Sequence, residues 1–136
     1  MTAKELSQLY WLNREIEQEK QRLAELEAAA TNTAAKITGL PHVAGISDKT
    51  AIAAEIADTR AVIKAKMDLC VVEYNRLNRY IASIDDSLMR QIMMLRYING
   101  MTWNQVADHI GTNENAVKKA HSRFLKKSCH TCHGQK

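Results

Sequence analysis

Apolar residues recur at spacings of three and four through most of the chain, and the places where that seam starts, breaks and restarts mark out the elements. Over residues 3–30, Leu9, Leu12, Ile16, Leu23 and Leu26 share one face, with Glu19 interrupting the seam. Between them stand Arg14, Glu15, Glu17, Lys20, Arg22 and Glu25, the mixed charges of a solvated helical face. A seam this narrow predicts a long helix that pairs as in a coiled coil. Thr31-Asn32-Thr33, Gly39, Pro41 and Gly45 then break the pattern, so residues 31–47 read as a loop. Ser47 or Asp48 is placed to cap a second long helix. Its seam runs Ile56, Thr59, Ile63, Met67, Cys70, Tyr74, Leu77, Ile81, Ile84, with one stutter in the heptad around Ile63. The first helix would be about 40 Å long and the second about 50 Å. The loop lets them fold back as an antiparallel hairpin, and pairing between two chains stays open.

A different kind of segment begins at Asp85-Asp86, which read as a stop and a new cap. Leu88, Ile92 and Leu95 define a short helix ending near Ile98, before Asn99-Gly100. Thr102 caps the next helix, and Gln105, three residues on, completes a capping box. That helix runs from Trp103 to Ile110 and stops at Gly111; Asn113 caps a third, from Glu114 to about Lys127. Two helices crossing steeply through so short a turn need three things: a small residue where they touch, a residue free to take positive φ, and a β-branched apolar residue wedged back from the second helix. Ala107, Gly111 and Val117 supply these at intervals of four and six, and Val106, Ile110 and Ala120 fill the remaining inward positions. The spacing predicts a helix-turn-helix. Trp103 is expected to bury its ring against the first of the three helices, and His121 either touches phosphate or faces solvent.

With those positions turned inward, the outward face of the third helix carries the DNA-binding candidates Asn113, Glu114, Asn115, Lys118, Lys119, Ser122, Arg123 and Lys126. The N-terminal residues of such a helix lie nearest base edges in the major groove. Asn115 and Lys118 suit base readout, and Glu114 suits a cytosine amino group. Lys119, Ser122, Arg123, Lys126 and Lys127 lie farther along, where phosphates are met. The expected architecture is therefore all-α: a helical hairpin over 1–85 for interaction or oligomerisation, a helix-turn-helix over 86–128, and a flexible tail over 129–136.

Composition agrees. Aromatics are 5% and there is one proline among 136 residues, poor material for a sheet. Residues 1–85 hold 11 Lys/Arg against 12 Asp/Glu, whereas residues 86–136 hold eight against three. All the excess positive charge lies in the helix-turn-helix third, which points to double-stranded DNA as the partner. No apolar run is long enough for a signal peptide or a bilayer span, so no membrane is expected and the location expected is cytoplasmic.

The stretch from Ile84 to Lys127 resembles region 4 of bacterial sigma factors. Asp85 to Tyr97, ending in Arg90-x-x-x-x-x-Arg96-Tyr97, looks like the family's first helix, and Thr102-Trp103-Asn104-Gln105-Val106-Ala107 is similar to the start of its second. Val117 and Leu125-Lys126-Lys127 are similar to its third. Over nearly the whole chain there is a further likeness to small phage-encoded late-transcription activators, the ArpU/RinA-like group. It rests on Leu6 to Ile16, on Gly39-Leu40-Pro41 with Ser47-Asp48-Lys49, and on the spacing from Trp103 through His121 to Leu125. The resemblance implies promoter-proximal DNA binding in a bacterial host and contact with host RNA polymerase, for which Met93 and Met94 are candidates. Nothing resembles the sigma region that reads the −10 element, so promoter melting is not expected.

Other chemistry is weak. Cys129-His130-Thr131-Cys132-His133 has haem-attachment spacing, but no export signal goes with it. Five consecutive residues cannot easily wrap a tetrahedral zinc, although zinc shared between two chains is conceivable. Cys70 reads as a small core residue. There is no nucleophile–base constellation, no phosphate-binding glycine loop and no carboxylate pair in an apolar setting, so no enzyme, cofactor or metal is expected. Two other functions stay open: a DNA-packaging protein of the small-terminase kind, which usually places its helix-turn-helix first, and an interaction protein that binds no DNA.

Overall fold

The computed structural model describes residues 1–35 and 44–132, of which residues 32–35, 44–48 and 131–132 are described by backbone only. The helices are α1 (Ala3–Leu6), α2 (Gln8–Ala35), α3 (Ala44–Ala82), α4 (Ser87–Met93), α5 (Trp103–Ile110) and α6 (Glu114–Cys132), with a π-helical turn over Met94–Ile98 closing α4. No strand occurs among the described residues, and no helix there is long and apolar enough to cross a membrane. The chain forms two compact units, Leu12–Leu69 and Met1–Trp11 with Cys70–Lys136.

In the unit Leu12–Leu69, α2 and α3 run antiparallel. Glu15 and Glu19 of α2 meet Lys66 at 3.2 and 3.8 Å, and Glu27 meets Arg60 at 2.8 Å. The partner's number on α3 falls as the number on α2 rises. Ile16, Thr59 and Ile63 are buried in the seam, with Leu12, Leu23, Leu26 and Ile56 half-buried beside them. Glu19, the break in the apolar seam, is answered across the hairpin by Lys66, whose side chain is 24% exposed like its own. The aliphatic stem of Lys66 is therefore packed while its amino group reaches two carboxylates.

This corrects the expected seam of α3. Met67 and Tyr74 are exposed, and the neighbouring Lys66 and Glu73 are half-buried in their place. Choosing apolar residues alone displaced the seam by one position where a charged pair occupies it. The helix ends differ too. α2 runs on through Thr31-Asn32-Thr33, because the Thr31 hydroxyl donates to the Glu27 carbonyl at 3.0 Å and so adds no unpaired polar group. α3 starts at Ala44, so Ser47 and Asp48 lie inside it and do not cap it; Gly45 in a first turn costs little. Gly39, Leu40 and Pro41 lie outside the described residues.

The second unit is organised by one core. Leu6, Leu9, Leu77, Ile81 and Ile84 bury together with Met89, Ile92, Met93, Leu95, Tyr97, Val106, Ala107 and Val117. A capping box starts α1: the Thr2 hydroxyl accepts from the Glu5 N–H at 3.3 Å, and the Glu5 carboxylate accepts from the Thr2 N–H at 2.7 Å. The bond from the Thr2 N–H, and then one of 2.9 Å that the Thr2 hydroxyl donates to the same carboxylate, hold the Glu5 carboxyl below its usual range. Arg76 of α3 donates to the Glu5 carbonyl at 3.1 Å and to the Glu73 carboxylate at 2.8 Å, fastening the start of the chain to α3. At the far end of α3, Arg90 donates to the carbonyls of Ile84 and Asp85, and Asp86 caps α4 through the N–H groups of Leu88 and Met89.

The compact units therefore do not divide at residue 85. The start of the chain and the end of α3 bury in one core with Ile92, Met93 and Val106 of α4–α6, a segment too short to build a large core by itself. Leu77→Ala is expected to destabilise this unit by about 2–5 kcal/mol. A fragment of residues 86–128 should lack a cooperative urea transition. A fragment that melts like the full chain would show that α1 and α3 add nothing to the core.

Candidate nucleic-acid interface

Local chemistry sets each end of the helix-turn-helix. The Thr102 hydroxyl accepts from the Gln105 N–H at 3.3 Å while the Gln105 side chain accepts from the Thr102 N–H at 2.9 Å, the capping box read from the sequence. Gly111 ends α5 in the left-handed region at φ +82°, its N–H donating to the Ala107 carbonyl at 2.9 Å. Asn113 begins α6 by accepting the Ala116 N–H at 2.8 Å. Val106, Ala107 and Val117 are almost wholly buried where the two helices cross, and Ile110 and Ala120 are half-buried around them. A longer side chain at Ala107 would push α6 off α5.

The first helix ends unusually. The Asn99 N–H reaches back five residues to the Met94 carbonyl at 3.0 Å, and the Met101 N–H reaches the Leu95 carbonyl at 3.1 Å. Gly100, at φ +67°, turns the chain away. The widened turn delivers two side chains to the helix-turn-helix. Arg96 donates to the Met101 carbonyl at 2.7 Å and lies over the Trp103 ring at 4.9 Å. The hydroxyl of Tyr97 and Nε2 of His121 share a buried hydrogen bond of 2.8 Å, and the Trp103 ring meets His121 edge-on at 4.8 Å.

His121 is thus neither on phosphate nor in solvent, as the sequence reading had it; only 7% of it is exposed. On α6 it stands one turn after Val117, on the inward side, and Tyr97 offers the polar partner that makes its burial tolerable. Trp103 is half-buried, packed on Arg96 from the end of the first helix as expected. Met93 is wholly buried and cannot meet a partner; Met94 is 38% exposed.

On the outer side of α6, Asn113, Asn115, Lys118, Lys119, Ser122, Arg123 and Lys126 are exposed, as is Lys127, while Glu114 is half-buried. The structure brings Glu114 and Lys118 together as an ion pair one turn apart. α6 also extends to Cys132, so the expected flexible tail from residue 129 is helical for four residues; no glycine or proline intervenes before Gly134, and Ser128 bonds back to the Phe124 carbonyl at 3.0 Å. Cys129 and His130 are exposed, and the Cys132 side chain and His133 lie outside the described residues.

Burial, and then the nearby charge of Arg96, push the His121 pKa below its ordinary value, and burial raises that of Tyr97. The unfolded chain then binds a proton on His121 more readily than the folded one. Above the unfolded pKa, near 6.5, His121 adds no pH dependence, and stability falls as the pH drops from there through the lowered folded value. Thermal melts at pH 7.5 and 5.5 should show a lower Tm at 5.5. His121→Gln, which keeps a hydrogen-bonding partner for Tyr97, should shrink that difference. An unchanged difference would place the acid sensitivity elsewhere.

No curated protein and no solved structure matches the chain. Residues 87–127 do match the family model described as Sigma-70, region 4, so the segment carrying the basic face of α6 is a sigma region 4-like helix-turn-helix, a DNA-binding, transcription-regulating type of domain.

Proposed function

We propose that this protein is a sequence-specific DNA-binding transcription regulator, a phage or prophage late-gene activator that works with host RNA polymerase in the bacterial cytoplasm. The observation that carries the reading is the outer face of α6, where Asn115, Lys118, Lys119, Ser122, Arg123 and Lys126 stand exposed on a helix whose other side is held by Val117 and His121. In this reading residues 86–128 meet DNA, with α6 in the major groove, and the segment before residue 86 joins two chains or docks on a partner. A single helix-turn-helix covers only a few base pairs, so it needs such help for affinity. Of Met93 and Met94, Met94 is the one exposed and available to a polymerase contact.

Lys119→Ala and Arg123→Ala should weaken binding to operator and random DNA alike, each reducing the slope of log K against log salt by about one. Asn115→Ala should cost about 1–3 kcal/mol at one or two base pairs and relax the preference there. Lys118→Ala should do both, because it removes a positive charge and leaves the Glu114 carboxylate uncompensated beside the DNA. Fluorescence anisotropy across a salt series, on operator and scrambled duplexes, reads all four. Equal losses on both duplexes for Asn115→Ala would reject base readout by that residue, and no binding at low salt would reject the function.

A further inference from the structure

α3 has a second seam, on one flank of the seam it uses against α2 and about 100° round the helix from it. Val62, Ala65, Leu69 and Val72 follow at spacings of three, four and three, and all are exposed, Leu69 by 54% and Val72 by 61%. The same spacing continues without a slip in both directions. Before Val62 it reaches Asp58 and Glu55, and after Val72 it reaches Arg76 and Arg79. The result is a heptad run of eight positions, about 36 Å long, acidic at its start, apolar in its middle and basic at its end. Glu55, Asp58, Thr59 and Val62, with Glu19 and Arg22 of α2, line an open groove of about 210 Å³ at its acidic end. Glu55, Asp58 and Arg79 are exposed; Arg76 is half-buried and also serves Glu73 and the Glu5 carbonyl.

We infer that this face of α3 binds a second copy of the chain, helix against helix and antiparallel, about a two-fold axis level with residue 67. That axis sets Ala65 opposite Leu69 and Val62 opposite Val72. It sets Asp58 opposite Arg76, and Glu55 opposite Arg79, each twice because the contact is isologous. Every a position then faces a d position of the second copy, as antiparallel seams require. A parallel pairing in register would instead stack Glu55 on Glu55 and Arg79 on Arg79, so the charge order itself selects the antiparallel form. The other exposed apolar stripe of α3, Met67, Val71 and Tyr74, has no such symmetry. It is preceded by Arg60 and Lys64 and followed by Asn78, so a second copy brings no acid to meet its bases.

The inference rests on the reading that the segment before residue 86 joins chains, and its test involves no DNA. Sedimentation equilibrium of the full chain over roughly 1–100 µM should show a monomer–dimer equilibrium. Glu55→Arg and Arg79→Glu each place like charges opposite each other twice, and each should raise the dimer Kd about tenfold or more, with helicity unchanged by circular dichroism. An equimolar mixture of the two variants should recover the dimer, because Arg at 55 of one then meets Glu at 79 of the other. Leu69→Asp should abolish it, and Val71→Asp, on the opposite flank, should not. A wild-type chain that stays monomeric overturns the inference. So does a dimer that survives Glu55→Arg, Arg79→Glu and Leu69→Asp, or one that is lost in the single variants and not restored by mixing. Operator binding by the same variants is scored separately, so a chain that dimerises as described but binds no DNA refutes only the DNA reading.

Discussion

Leu6, Leu77 and Ile81 are buried in the same core as the side chains of the C-terminal helices, so the two ends of the chain share one hydrophobic cluster. Each such side chain contributes about 1.5–3 kcal/mol when fully buried, and a three-helix segment of some forty residues has little else to offset the entropy of ordering its backbone. The helix-turn-helix is therefore one layer of a larger unit whose other layer is the first turns of the chain and the last turns of α3. The bond from Arg76 to the Glu5 carbonyl and those from Arg90 to the carbonyls of Ile84 and Asp85 work at the two ends of that layer. They occupy carbonyls at the end of α1 and in the link between α3 and α4.

That dependence explains the polar cluster behind α6. On its inward side α6 is held by Val117, with Ala120, Phe124 and Leu125 packed against the same core. Tyr97 and His121 add a directional bond, and Trp103 wedges against the same imidazole. Both Arg96 and Tyr97 are delivered by the π-helical turn, whose wider winding changes their direction relative to α4 before it.

Much of this was legible in the sequence, and what was not has physical causes. The caps at Thr102, Gly111 and Asn113 could be read because each rests on bonds within three or four residues. The inward set Val106, Ala107 and Val117 could be read because the short turn leaves few ways for two helices to cross. His121 could not, since its partner lies 24 residues away on a turn whose π geometry has no residue signature. The one hint was its place a turn after Val117, on the apolar side. Met93 and Met94 are neighbours of equal hydropathy, and only the burial of the first tells them apart. The seam of α3 went astray for a related reason: at Lys66 the residue that faces α2 is charged, and its fitness depends on Glu15 and Glu19, far off in sequence.

Charge tells the last part of the story. Of the eight basic residues after residue 85, Arg90 and Arg96 are bound to backbone carbonyls and Lys118 to Glu114. The electrostatic face is accordingly narrower than the composition implies. Lys119, Arg123 and Lys126 follow one another at four and three residues along α6, a single row about 10 Å long. A row of that kind can track one phosphate strand along a groove wall, but it cannot grip both. The first turn of α6, with Asn113, Glu114 and Asn115, carries no net positive charge of its own. On the proposed reading, attraction and discrimination are thus separated along one helix, the far end supplying long-range affinity and the near end short hydrogen-bonding groups whose worth depends on the base they meet. Such a division keeps non-specific binding modest, which suits a domain that finds its site with the help of a second contact.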